Sequence, residues 1–129
     1  MQIFEQTLKV AANDLDELNH VNNVRYLQWV QDIAKAHWVD RAPKSVLDTF
    51  IWVVVNHNIH YKSPAVLNDL LILKTYVTES KGVTSIRIVE IYHKETQKLI
   101  IHCETKWCLL DKTTLRPTRL TQEIIQLFS

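Results

Sequence analysis

Only one segment of this chain has the periodicity of a long helix, and the span from Phe50 to Asp111 that follows it reads as strand throughout. From Asn22 to about Arg41 the apolar positions Tyr26, Leu27, Val30, Ile33, Ala34, His37 and Trp38 recur at helical spacing, opposite a stripe of Arg25, Gln28, Asp32 and Lys35. This is a helix of about five turns. Pro43 stops it, and Asn19 or Asn22 can cap its start. One such helix cannot cover both faces of a large sheet, so the sheet must curl around it or bury its other face against a partner. The expectation is a helix wrapped in a sheet, and a dimer.

The strands can be read individually. Residues 2–12 alternate in part, with Ile3, Leu8 and Val10 apolar, and form a first strand. In FIWVVVNHNIHYK the odd positions Ile51, Val53, Val55, Ile59 and Tyr61 make an apolar face, while the even face carries Asn56, Asn58 and His60. A Pro-bearing turn, SPAVLND, leads to LLILKTYVTES. KGVTS holds the only glycine, Gly82, and reads as a hairpin turn. IRIVEIYH, the turn KETQ and KLIIHCETKWCLLD complete the strands, the last with Leu99, Ile101, Cys103, Trp107 and Leu109 on one side. LTQEIIQLF is a short closing helix started by Thr121. Short turns join the last three strands, so a meander is the simplest topology.

Composition narrows the function classes. A length of 129 residues fits one domain, residues 1–129. Fifteen Lys and Arg against fourteen Asp and Glu leave a formal charge of +1 with no basic stripe, which argues against a nucleic-acid partner. A single glycine excludes the glycine-rich phosphate loops of nucleotide folds. No apolar run approaches the ~18 residues of a membrane span and no signal segment precedes the first strand, so a cytoplasmic protein with no membrane association is expected. Cys103 and Cys108 lie five apart on a strand, on opposite faces, and read as reduced, buried thiols.

The stretch NDLDELNHVNN, residues 13–23, packs two aspartates, four asparagines and a histidine in front of the helix. Turn formation and capping use one or two such residues, which leaves a surplus. A metal centre is poorly supplied: only His20 with Asp14 or Asp16 is near enough, and His57 and His60 face opposite ways on a strand. Neither cysteine sits where a thiolate is favoured. A carboxylate beside a helix start is a third reading, which stands beside turn formation with capping and a metal centre. First-turn N–H groups without acceptors can stabilise an oxyanion, and Asp16 lies a few residues before them. Such a carboxylate can attack a carbonyl or deprotonate a water, and a thioester suits it because a thiolate leaves with little acid assistance.

DLDELNHVNNVRYLQW, with the later IHYKSPAVLNDLL, resembles the hotdog-fold acyl-thioester hydrolases of the 4-hydroxybenzoyl-CoA thioesterase type, and HVNNVRY is similar to the plant acyl-carrier-protein thioesterases. The resemblance implies an α+β hotdog fold, a long central helix wrapped by a curled antiparallel sheet of five to six strands. It implies an acyl-CoA thioesterase that cleaves acyl-CoA or acyl-carrier-protein substrates to acid and thiol, with no metal and no bound cofactor, as a homodimer or homotetramer. The catalytic aspartate of such enzymes precedes a first-turn tyrosine by ten residues, the separation of Asp16 and Tyr26. Asp16 is then nucleophile or general base, and the Asn23 N–H contributes to the oxyanion hole. His20 matches a histidine of the plant enzymes, whereas Leu18 stands where they have an asparagine; His20 orients substrate or water, or fixes the turn. Asn22 and Tyr26 are substrate contacts at the helix mouth. Asn58 and His60 are candidates for the part of the pocket that a partner subunit supplies. Trp29, on the polar helix stripe, is a surface tryptophan, a contact to a second dimer or a wall of the acyl pocket. The rival readings are a hotdog hydratase or dehydratase and a non-catalytic acyl-binding dimer.

Overall fold

The computed structural model describes residues 1–129. Its element order is β1 (Phe4–Lys9), α1 (Asn23–Arg41), α2 (Lys44–Thr49), β2 (Phe50–Tyr61), β3 (Leu70–Lys81), β4 (Thr84–His93), β5 (Leu99–Asp111) and α3 (Gln122–Gln126). A 3-10 turn at Ala12–Asp14 follows β1. Helix α1 starts where Asn22 turns its Oδ1 back to accept from the Val24 N–H at 3.0 Å. It stops at Ala42, before Pro43. Pro43 then opens α2, a helical turn not expected from the sequence, in which Lys44 pairs with Asp48 at 2.8 Å.

The five strands form one antiparallel sheet in the order β1-β3-β4-β5-β2. Strands β3, β4 and β5 are the expected meander, and Gly82 supplies the positive φ of the β3–β4 hairpin. Outside that meander, β2 pairs with β5, and β1 takes the edge beside β3. The reason lies in residues 62–69. Ala65 O accepts from Val21, Val10 O accepts from Asn68 and Val10 N donates to Asp69 O, so the connection is tied to the helix mouth and delivers β3 beside β1.

The sheet wraps α1. Val30 and Ile33 of the helix share a core with Leu71 and Leu73 of β3, Val89 and Ile91 of β4, and Ile101 and Cys103 of β5. Each such side chain contributes about 1.5–3 kcal/mol when fully buried. A second cluster, with Trp38, Leu109, Ile124 and Phe128, closes the far end. Trp29 is buried rather than on a polar stripe; its ring meets Tyr26 edge-on at 5.6 Å. The curled sheet reaches further around the helix than a flat one, so the covered face is broader than the apolar stripe suggests.

The odd positions of β2 do not make one buried face. A bulge at Val55 shifts the register between Val54 and Asn56. Before it Phe50 and Trp52 pack inward; after it Ile59 does. Ile51, Val53 and Val55 are left 40%, 40% and 53% exposed on an edge strand. An inserted residue inverts alternation, and composition does not announce it.

Candidate active site

The polar stretch folds into a tight loop. Leu15 and Val21 form an antiparallel bridge, the Asp16 N–H donates to His20 O at 2.8 Å, and Asn19 N–H to Asp16 O at 3.1 Å. Asn19 adopts φ +60°, a conformation asparagine tolerates. Asp16 is half-buried, and its Oδ1 accepts from the amides of Leu18 at 2.9 Å and His20 at 3.2 Å. Its Oδ2 has no donor in the protein. One oxygen thus holds the carboxylate in place while the other stays free.

Asp14 has a different job. Its Oδ2 accepts from the Ala11 N–H at 2.8 Å, and its Oδ1 lies 3.0 Å from Arg25 Nε, which fastens the turn to the first turn of α1. Asn22 spends its Oδ1 on the cap, leaving its amide nitrogen free for a ligand. Among the opening amides, Val24 donates to Asn22 Oδ1 and Arg25 to Asn22 O, while the Asn23 N–H has no acceptor in the chain. The positive end of the helix dipole is concentrated in such unclaimed groups.

Tyr26 lies beneath this loop, 3% exposed, with its ring 6.0 Å from that of Tyr61. Its hydroxyl has no hydrogen bond of good geometry, although the Ala65 amide lies close by. Burial first, then the charges of Asp69, Tyr61 and Asp16, push its pKa up to about 12 against the pull of that amide, so it is a neutral phenol. His20 is half-buried, and its backbone bridges to Val66. The Tyr61-x-x-Pro64-Ala65 stretch therefore packs directly on the residue 13–23 loop. Asp69 completes it as a turn former, accepting from the Val66 N–H at 2.9 Å.

Within one chain Asp16, His20, Asn22, Asn23 and Tyr26 come together, and Asn58 and His60 do not join them. Asn58 and His60 are exposed on β2, on the face opposite the inward-packed Ile59, with His60 across from His102. The inward histidine of that strand is His57, which sequence reasoning did not select. Its Nδ1 lies 2.7 Å from Thr105 Oγ1 and its Nε2 3.5 Å from Gln31 Nε2 of α1, and burial lowers its pKa. His57 is an odd position like Ile59, so alternation already set it on the apolar face, where its polar type masked it. Cys103, beside it, is buried and its thiol is pushed up by that burial, as a packing residue requires. No three His, Cys, Asp or Glu side chains are grouped as metal ligands.

Residues 1–128 match the family model described as the acyl-ACP thioesterase N-terminal domain. The chain belongs to that family. The long-chain acyl-CoA thioesterase FadM of Escherichia coli (strain K12) is 39% identical to this chain over 87 residues. That match spans 61% of this chain and 61% of the relative. The crystal structure of YbaW, a probable thioesterase from Escherichia coli, superposes with a TM-score of 0.80 at 28% identity, over 95% of this chain and 94% of that one. A mutant 4-hydroxybenzoyl-CoA thioesterase crystallised with 4-hydroxybenzoyl-CoA gives a TM-score of 0.89 at 14% identity, with each chain covered in full, 100%. The latter shows the fold: the chain is a hotdog, one long helix inside an open five-stranded antiparallel sheet. No helix in it is long and apolar enough to cross a membrane.

Proposed function

We propose that this chain, acting as one domain, hydrolyses acyl thioesters of coenzyme A or of acyl carrier protein to free acid and thiol, with Asp16 as the reacting carboxylate. One observation carries the reading: a carboxylate anchored through Oδ1 with Oδ2 free stands before a helix whose first amide, Asn23 N–H, is unclaimed. Membership of a thioesterase family supports the same chemistry.

Two routes use this arrangement. In the first, Oδ2 of Asp16 adds to the thioester carbon and the carbonyl electrons move to its oxygen, where the Asn23 N–H and the helix dipole stabilise them. Collapse breaks the C–S bond, the thiolate takes a proton from solvent, and water hydrolyses the mixed anhydride to restore Asp16. In the second, Asp16 takes a proton from a water that adds to the same carbon, and the proton leaves with the thiolate. Neither route needs a metal or a bound cofactor. His20 orients substrate or water at this carbon, Asn22 offers its free amide nitrogen to the thioester arm, and Tyr26 packs beneath the loop as a neutral contact.

The second part of the proposal is a homodimer built on β2. Its outer edge is unpaired and carries the exposed strip Ile51, Val53 and Val55, an open invitation to another strand unless a copy covers it. A two-fold axis across an antiparallel β2 pair sets the Tyr61 end of one strand beside the Phe50 end of the other. Asn58 and His60 then approach the partner, which is how they come to the substrate. The acyl chain lies between helix and sheet, in the cavity of about 620 Å³ whose walls include Phe50, Ile51 and Trp52. Two reduced thiols and a chain without a membrane-crossing helix support a cytoplasmic setting. Thiol release from acyl-CoAs by wild type and Asp16→Asn tests the reading.

A further inference from the structure

The cavity of about 620 Å³ has an arginine in its wall. Arg87 stands on β4, only 5% exposed, and no carboxylate pairs with it. Its Nη1 is used within the protein, 2.8 Å from His37 Nδ1 and 3.0 Å from Thr75 Oγ1, and the Phe128 ring lies 5.0 Å from its Cζ. Its Nε and Nη2 meet no acceptor in the chain.

Since His37 Nδ1 accepts from the guanidinium, the imidazole proton sits on Nε2, which is buried without a partner. Trp107 lines the cavity, but its Nε1–H is buried out of the cavity's reach. Lys35 and Lys112 also line it. The one acid in the wall, Asp32, is held by Gln28 at 2.8 Å. Interiors set nearly every buried donor against an acceptor, and an unpaired buried charge is the costliest exception. The Nε and Nη2 of Arg87, in the cavity wall without an acceptor, mark a place where the acceptor comes from outside the chain.

We propose that the cavity receives an acyl group bearing a carboxylate at the end remote from the thioester, bound by the Nε and Nη2 edge of Arg87. That edge is a planar two-donor fork matched to the two oxygens of a carboxylate, and Nη1, already engaged, fixes its direction. Trp38, Leu47, Trp52 and Phe128 supply apolar walls for the methylenes between the two ends. The site deepens the thioesterase reading and rests on it for the identity of the other end of the chain.

The test has two arms. In the first, free α,ω-dicarboxylates and monocarboxylates of matched length are titrated while the fluorescence of the cavity tryptophans is followed, a measurement independent of any hydrolysis. In the second, kcat/KM is measured for ω-carboxyacyl-CoAs and unsubstituted acyl-CoAs of the same lengths, and the selectivity ratio is taken within each variant. Wild type is expected to bind the dicarboxylate more tightly and to favour the ω-carboxy substrate about tenfold or more at one matched length, as a site built around a buried donor discriminates. Arg87→Met is expected to bring that ratio to one or below, and Arg87→Lys, which keeps charge without the fork, to an intermediate value. If Arg87→Met fails to fold, Arg87→Lys decides, since it must lower the ratio below that of wild type. Equal binding of the two acid classes by wild type, or turnover of unsubstituted acyl-CoAs with no ω-carboxy preference at any length, overturns the site and leaves the hydrolase reading standing. Dicarboxylate binding that depends on Arg87 without any thiol release upholds the anion site and removes the hydrolase reading instead.

Discussion

The backbone N–H of Val21 donates to the carbonyl of Ala65 at 2.9 Å, and this bond joins the two stretches of sequence that resemble a thioesterase. Val21 ends the polar loop that holds Asp16, and Ala65 belongs to the connection between β2 and β3. Both are buried, at 3% and 0% exposure, so the loop is clamped against the sheet and the mouth of α1 is fixed before any ligand arrives. A preset geometry is what stabilisation of a developing oxyanion requires.

Tyr26→Phe removes a buried hydroxyl that lacks a good partner. The folding free energy should change by no more than about 1 kcal/mol, since little net hydrogen bonding is lost. The pKa of Tyr26 in the fold, about 12, exceeds its unfolded value of 10.0, so the unfolded chain ionises first. The contribution is complete below pH 10.0 and is lost as pH rises towards about 12. Urea unfolding across that range should show a shallower loss for Tyr26→Phe than for wild type. Loss of thiol release in the variant at neutral pH would instead make the hydroxyl part of the chemistry.

His37 gives the opposite limb. Burial, then Arg87 and Arg41, lower its pKa from 6.5 to about 4, so folding favours the neutral ring. That stability is present above pH 6.5 and disappears as pH falls through about 4, where the buried imidazole must charge beside a guanidinium. His37→Gln keeps an acceptor for Arg87 without a titrating group. Its unfolding free energy should fall less between these two pH values than that of wild type, and parallel pH profiles would contradict the buried neutral histidine.

Much of this architecture can be read from residue order, and the failures have physical causes. Tyr26, Val30, Ile33, His37 and Trp38 mark the buried helix face by spacing alone, and Asn22 was one of two caps the sequence left open. The free Oδ2 of Asp16 could only be suspected, since the split between its two oxygens is a matter of loop geometry. Two features were hidden. The bulge at Val55 breaks the alternation of β2, so His57 and Ile59 face inward while the odd positions before them, Ile51, Val53 and Val55, fall outside. In β4 polarity runs against hydropathy: Arg87 shares the inner face with Val89 and Ile91, because His37 and Thr75 from other elements accept its protons. Pairings between distant elements leave no periodic trace.

The free edge of β2 makes the assembly testable. Val53 is 40% exposed, so Val53→Lys should leave the fold of one chain intact while placing a buried charge at the strand pair. Sedimentation at micromolar concentration should show a dimer for wild type and a monomer for the variant. A monomeric wild type would remove both the strand pairing and the shared pocket.

In the proposed mechanism the Oδ2 of Asp16 reacts at the mouth of α1. Asp16→Asn retains the size of the side chain and an oxygen to accept from Leu18 and His20, and removes only the charge. Thiol release should be followed for wild type and Asp16→Asn side by side on short, medium, long and aromatic acyl-CoAs, with circular dichroism to confirm the fold. A fall in kcat on the order of a hundredfold or more is expected on every substrate that wild type cleaves. A folded Asp16→Asn with activity within a few-fold of wild type would contradict it.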